Sequence, residues 1–160
     1  MKKFLSKYWK ACLSLVFGVA VFLFWRYGYY YALSYQEQFQ LFLFDTGYFM
    51  ERLALPGGLA RYLGEFIVQF YNSSSIGALL LAILYVTLQR LTYLNIICGK
   101  KDESRNSSSF LHSSLFALSF LPPIALWYVM GDENVMLTYV VALIIAMMFM
   151  LWKPKKKTTC

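Results

Sequence analysis

Apolar residues in this chain fall into four long runs, and the polar segments between them carry Lys and Arg almost wholly on alternate sides. Runs of this kind predict membrane-crossing helices, because about 20 apolar residues are needed to cross a hydrocarbon core about 30 Å thick. The first expected span is 11–31, with its apolar centre from Leu13 to Trp25 and an aromatic close of Phe24, Trp25, Tyr27, Tyr29, Tyr30 and Tyr31. Bulky aromatics there read as an interfacial belt and leave no small-residue cleavage site, so the segment reads as an uncleaved signal anchor. The second span, 76–98, is opened by Asn72-Ser73-Ser74-Ser75 and closed by Gly99. The third, 110–130, carries Pro122-Pro123 near its middle, and the fourth, 135–152, follows the turn from Gly131 to Asn134. The expected fold is all-α: one polytopic membrane domain over 1–160 with four transmembrane helices.

The connection 34–75 is far longer than a turn between spans requires, and long ordered connections are usually functional. After the break at Pro56-Gly57-Gly58, the residues Leu59, Tyr62, Leu63, Phe66, Ile67 and Phe70 recur at helical spacing, with Arg61, Glu65 and Gln69 opposite them. This predicts an amphipathic helix in the outer interface, its apolar stripe toward lipid or the bundle and its charges toward water. Upstream, Tyr35, Phe39 and Phe42 predict a second interfacial helix as far as Phe44, followed by a turn at Asp45-Thr46-Gly47.

Composition fits a membrane protein: 59% hydrophobic and 14% charged, against roughly 25% charged in soluble domains. Four lysines precede the first span, Lys100, Lys101 and Arg105 follow the second, and four lysines follow the fourth, whereas only Arg26, Arg52 and Arg61 lie on the other side. Positive residues stay inside, so both termini are expected in the cytoplasm. The net charge of +7 is divided among short tails beside spans, without a basic patch interleaved with aromatics, which argues against nucleic acid as a partner. Cys12 and Cys98 read as small packing residues at inner helix ends. No CxxC or Cys/His spacing points to a metal, and no cofactor motif is present.

Charged groups at a wet interface cost little, so Glu37, Asp45, Arg61 and Glu65 read first as a solvated face. Arg90, inside the second span, either snorkels to the inner headgroups or meets a polar group or a lipid phosphate within the bundle. The Pro122-Pro123 pair frees carbonyls near Leu118 and Ser119 that a neighbouring helix or water must satisfy.

Trp25, the Tyr35-Gln36-Glu37-Gln38 segment, Pro56-Gly57-Gly58-Leu59-Ala60 and Tyr62-Leu63-Gly64-Glu65-Phe66 together resemble the N-terminal region of an uncharacterised bacterial family of multi-pass membrane proteins, over roughly the first ninety residues. The resemblance implies a bacterial inner membrane. Because such proteins are much longer, it also implies that this chain is a fragment, a truncated copy or a reduced paralogue. The layout is similar, more distantly, to membrane glycosyltransferases that use polyprenyl-linked sugars. That similarity implies an acid soon after the first span as catalytic base, which by position is Glu37 and after it Asp45, with Arg61 and Arg90 as phosphate or lipid-headgroup partners. Two functions follow: the front end of a transferase acting on a lipid-linked sugar, or a non-enzymatic membrane subunit whose outer helix binds another membrane protein. In either case the bilayer is a partner.

Overall fold

The computed structural model describes residues 2–40, 42–100, 109–132 and 135–152, and every regular element among them is helical. Helix α1 (Lys2–Leu23) continues through a π-helical turn at Phe24–Gly28 and ends where Tyr29 leaves helical space (φ −129°, ψ 30°). Helix α5 (Ser74–Lys100) runs antiparallel to it. Ser14 Oγ donates to Gln89 Oε1 at 2.8 Å, Lys10 Nζ donates to the Tyr93 hydroxyl at 2.6 Å, and Gly18 faces Val86, so the chain numbers rise along α1 as they fall along α5.

Among the described residues two helices, Tyr8–Gly28 and Ser74–Gly99, are long and apolar enough to cross a membrane, where four were expected. The third expected span is broken into α6 (Ser109–Leu118) and α7 (Leu121–Val129). Pro122 and Pro123 have no N–H to donate back to Leu118 and Ser119. A new helix therefore begins at Leu121, with proline in its first turn, where that N–H is not needed. The fourth shrinks to α8 (Thr138–Trp152), 15 residues long, because the chain from Val135 to Leu137 belongs to the preceding loop.

A buried polar thread runs beside the break in the third span. Ser119 Oγ donates to the Phe116 carbonyl at 2.6 Å, Gln89 Nε2 donates to Ser119 Oγ at 2.8 Å, and Gln89 in turn accepts from Ser14. Around it, Phe17 meets Phe120 and Trp127 edge to face, and Phe24 meets Trp127 in the same way, which locks α1 to α7. Trp25, expected in an aromatic belt, is fully buried with Leu33, Tyr71, Leu81 and Tyr85, while Tyr27, Tyr30 and Tyr31 are exposed.

The long connection contains three helices: α2 (Tyr30–Phe39), α3 (Thr46–Leu53) and α4 (Gly58–Val68), followed by a 3-10 turn at Gln69–Asn72. Helix α2 stops short of Phe44 because Gln40 turns extended (φ −117°, ψ 94°). Helix α4 is the expected one, and Leu59, Leu63 and Phe70 of its apolar stripe are exposed, but Glu65, expected toward water, is buried. Ala60, Gly64 and Val68 are buried at four-residue steps, α4 packs lengthwise on α8, and Gly64 sits against Thr138. Gln69 reaches the Gln40 carbonyl and Gln36 reaches the Val135 carbonyl, so the end of α4 and the approach to α8 both meet the α2 segment. The two helices therefore run antiparallel, and α4 stands alongside the bundle.

Of the polar face, Glu65 is thereby turned inward, while the Arg61 side chain stays 39% exposed. Glu65 is only 5% exposed, whereas Leu59 and Phe70 on the apolar stripe are 46% and 43% exposed. Small residues permit closer helix contact than leucines do, and that contact selects the face. Cys12 and Cys98 are exposed rather than packed. The expectations for residues 101–108, 133–134 and 153–160, which include most of the inner loop and the C-terminal lysines, lie outside the described residues.

Candidate functional site

The most concentrated chemistry in the described chain lies between α3 and α4. Asp45 starts α3: its extended backbone (φ −130°, ψ 143°) aims the carboxylate at the Gly47 N–H, 3.1 Å away, a cap worth about 1 kcal/mol. One helical turn then places Tyr48 and Arg52 on the same face. The chain reverses at Pro56-Gly57-Gly58. Gly57 takes the left-handed conformation (φ 73°), which favours glycine. Gly58 passes so close to Arg52 that an added β-carbon would overlap the Arg52 carbonyl. The return helix brings Arg61 and Glu65, also one turn apart, against Tyr48 and Arg52.

Glu65 is the centre of this arrangement. Its Oε1 accepts from Arg61 Nε at 2.9 Å and lies 3.3 Å from Arg52 Nη2, while its Oε2 accepts from the Tyr48 hydroxyl at 2.5 Å. Arg52 Nη2 also donates to the Tyr48 hydroxyl at 2.9 Å, and its guanidinium lies over the Tyr48 ring at 4.8 Å. Burial, and then donation to the Glu65 carboxylate, push the Tyr48 hydroxyl above its ordinary range, against the opposing effect of Arg52. Arg52 is itself raised, chiefly by its bond to Tyr48. Phe42, buried and in ring contact with Tyr48, Tyr62 and Phe66, closes the open end of the hairpin.

Two cations and one carboxylate leave the group with net positive charge. Arg61 is the outward member: its side chain is 39% exposed, its Nε is fixed by Glu65, and its two terminal nitrogens bond no described residue. A guanidinium held by Nε presents a fork that matches two oxygens of a phosphate or carboxylate. Glu65, with both oxygens engaged, is a positioning group and not an available base.

The other sequence candidates are dispersed. Glu37 is half-buried on α2 and shares no hydrogen bond or ion pair with a described residue; its neighbour Gln36 is the one turned inward. Asp45 is committed to its cap. Arg90 is half-buried on α5, at one end of a groove between α1 and α5. Tyr48 and Arg52 were not singled out from sequence: their four-residue spacing just before Pro-Gly-Gly marks one helix face but does not say what that face meets. No group of three or more metal-ligating side chains occurs among the described residues.

A family model described as a family of unknown function (DUF6057) matches residues 6–159, well beyond the first ninety residues over which the sequence resemblance was drawn. No curated protein and no solved structure matches the chain.

Proposed function

We infer, from the premise that the chain belongs to the family of unknown function DUF6057 and from its open guanidinium, that it is an integral membrane protein holding a phosphate-bearing amphiphile on Arg61. The carrying observation is the Arg61 fork, oriented through Nε by the buried Glu65 and free at both terminal nitrogens. Charge-assisted bonds of that kind are worth about 1.5–3 kcal/mol each. A polyprenyl phosphate supplies both the anion and an apolar body for the exposed Leu59, Leu63 and Phe70 beside it.

Membrane placement is supported by the exposed surface. The apolar window of Tyr8–Gly28 is only 22% buried, which a core helix of a soluble protein would not be. Leu15, Val16, Leu79, Ile83, Phe149 and Met150 continue the exposed apolar surface over α1, α5 and α8. On this reading 1–160 is one membrane domain. Helices α1 and α5 cross fully, and α6 with α7 forms a broken third crossing. Helix α8 rises only about 22 Å, short of the roughly 30 Å core, and α4 fills the space beside its start. The Lys and Arg bias favours both termini in the cytoplasm and 34–75 on the far side of the membrane, and the family resemblance implies that this is a bacterial inner membrane. In a background without native cysteines, an impermeant thiol reagent on intact cells then labels a cysteine at Thr46 and spares one at Asp102; the opposite pattern inverts the topology.

The binding reading is tested with the purified full chain in zwitterionic nanodiscs, titrated with polyprenyl phosphate. Saturable binding is expected, with Arg61→Gln weakening it about tenfold or more, equivalent to 1.4 kcal/mol, and Arg61→Lys retaining part. Equal binding by wild type and Arg61→Gln overturns it. A second reading, the front end of a lipid-linked-sugar transferase with Glu37 as base, is favoured by one observation: the Glu37 carboxylate is held by no described partner. Glu37→Gln should then abolish turnover without reducing abundance, and retained turnover removes Glu37 from catalysis.

A further inference from the structure

The α1–α5 contact leaves a groove of about 560 Å³ on one flank, lined by Leu15, Val19, Phe22, Leu79 and Ile83, with Arg90 at its end. Gly18 creates the close approach at its floor, since an added β-carbon there would stand 2.9 Å from Val86 Cγ2. From Leu79 to Arg90 the groove runs about 16 Å at 1.5 Å per residue, roughly half a hydrocarbon core and the reach of one acyl chain.

The register places the Arg90 end. Ala11 lines the groove there, and the next residue of α1, Lys10, donates to Tyr93, one turn beyond Arg90. From Ser74 to Tyr93 α5 rises about 28 Å, close to a full core thickness, so the Lys10–Tyr93 level lies at the inner headgroups and Arg90 about 5 Å beneath. Trp9, Tyr93 and Phe116 surround the Lys10 ammonium at 5.8, 5.0 and 5.8 Å, which gives that cation aromatic partners of its own.

Arg90 has no such company. It forms no hydrogen bond or ion pair with a described residue, and neither α1 nor α5 contains an Asp or Glu. A guanidinium at the rim of an apolar groove calls for an anion, and no described residue supplies one. We propose that the groove seats one acyl chain of an anionic phospholipid from the inner leaflet, with the lipid phosphate on Arg90. The proposal rests on the membrane reading above, but not on Arg61.

The test is native mass spectrometry of the full chain in detergent, offered phosphatidylglycerol or phosphatidylcholine of equal chain length. Wild type should retain phosphatidylglycerol at least tenfold better than phosphatidylcholine. Arg90→Gln should bring the two level and Arg90→Lys should keep part of the preference, both read in an Arg61→Gln background so that the outer guanidinium does not contribute. Leu79→Trp, which fills the groove and keeps the charge, should reduce retention of both lipids. The proposal is overturned if Arg90→Gln keeps the preference, if Leu79→Trp has no effect, if Arg61→Gln alone removes the preference, or if a second copy of the chain occupies the groove as a dimer sensitive to Leu79→Trp. Flotation of wild type with vesicles is read separately: a protein that fails to float overturns the membrane reading itself, whatever Arg90 does.

Discussion

Gly64 of α4 lies directly on Thr138 at the start of α8, where a β-carbon added to the glycine would stand 3.2 Å from both the Thr138 nitrogen and Cα. Backbone cannot swing aside as a side-chain tip can, so the helices must separate to admit even a methyl group. Gly64→Ala should cost about 1 kcal/mol and Gly64→Val about 1–3 kcal/mol in unfolding free energy. Denaturant unfolding in detergent measures both, and an unchanged midpoint for Gly64→Val would show that α4 and α8 are not in contact.

Glu65 should be the residue least tolerant of change in the connection. Removing a buried carboxylate leaves Arg52 and Arg61 without their shared anion, a loss of about 3–5 kcal/mol for a buried partner. Arg61→Gln, at the exposed end of the same pair, should cost no more than about 1 kcal/mol. Thermal unfolding of Glu65→Ala and Arg61→Gln compares the two, and equal losses would contradict the buried position of Glu65.

Much of this arrangement was readable from residue spacing. Periodicity located α4, and the Pro56-Gly57-Gly58 break located its start. The Pro122-Pro123 pair located the break between α6 and α7. The face that α4 buries was not readable, because a leucine-rich stripe looks the same whether it meets lipid or protein, and the small Ala60 and Gly64 that decide it leave little hydrophobic signal. The pairing of Arg52 with Glu65 crosses a hairpin, and the Ser14–Gln89–Ser119 thread joins positions 75 and 30 residues apart. Neither follows from local spacing. The number of full-length spans was overread, since composition counted apolar residues through a proline break and a loop that helix geometry does not continue across.

That thread makes a prediction of its own. Gln89 is fully buried, and Gln89→Ala leaves Ser14 and Ser119 without their shared partner, which should cost about 1–3 kcal/mol. Changing the whole set to apolar residues (Ser14→Ala, Gln89→Leu, Ser119→Ala) should recover most of that loss, because no buried polar group is then left unpaired. Unfolding of the single and triple variants in parallel decides it: a triple variant less stable than Gln89→Ala would mean that the thread does more than satisfy its own members.

The hydroxyl of Tyr48 gives the α3–α4 cluster a pH signature. Tyr48 donates to the Glu65 carboxylate, and burial together with that bond raises its pKa above the ordinary value near 10. Below the ordinary value Tyr48 is protonated both folded and unfolded, so its bond contributes in full. As pH climbs past 10 the unfolded chain ionises first, and the contribution fades until the raised folded value is passed. Tyr48→Phe should therefore be less stable than wild type by about 1.5–3 kcal/mol near pH 7, the worth of a hydrogen bond to a charged group, and the gap should narrow above pH 10. Tyr71, which burial also raises, adds the same slope to both proteins and cancels in the difference. Denaturant unfolding of the pair from pH 7 to pH 11 measures the gap, and one that stays constant or widens across that range would show that Tyr48 does not donate to Glu65.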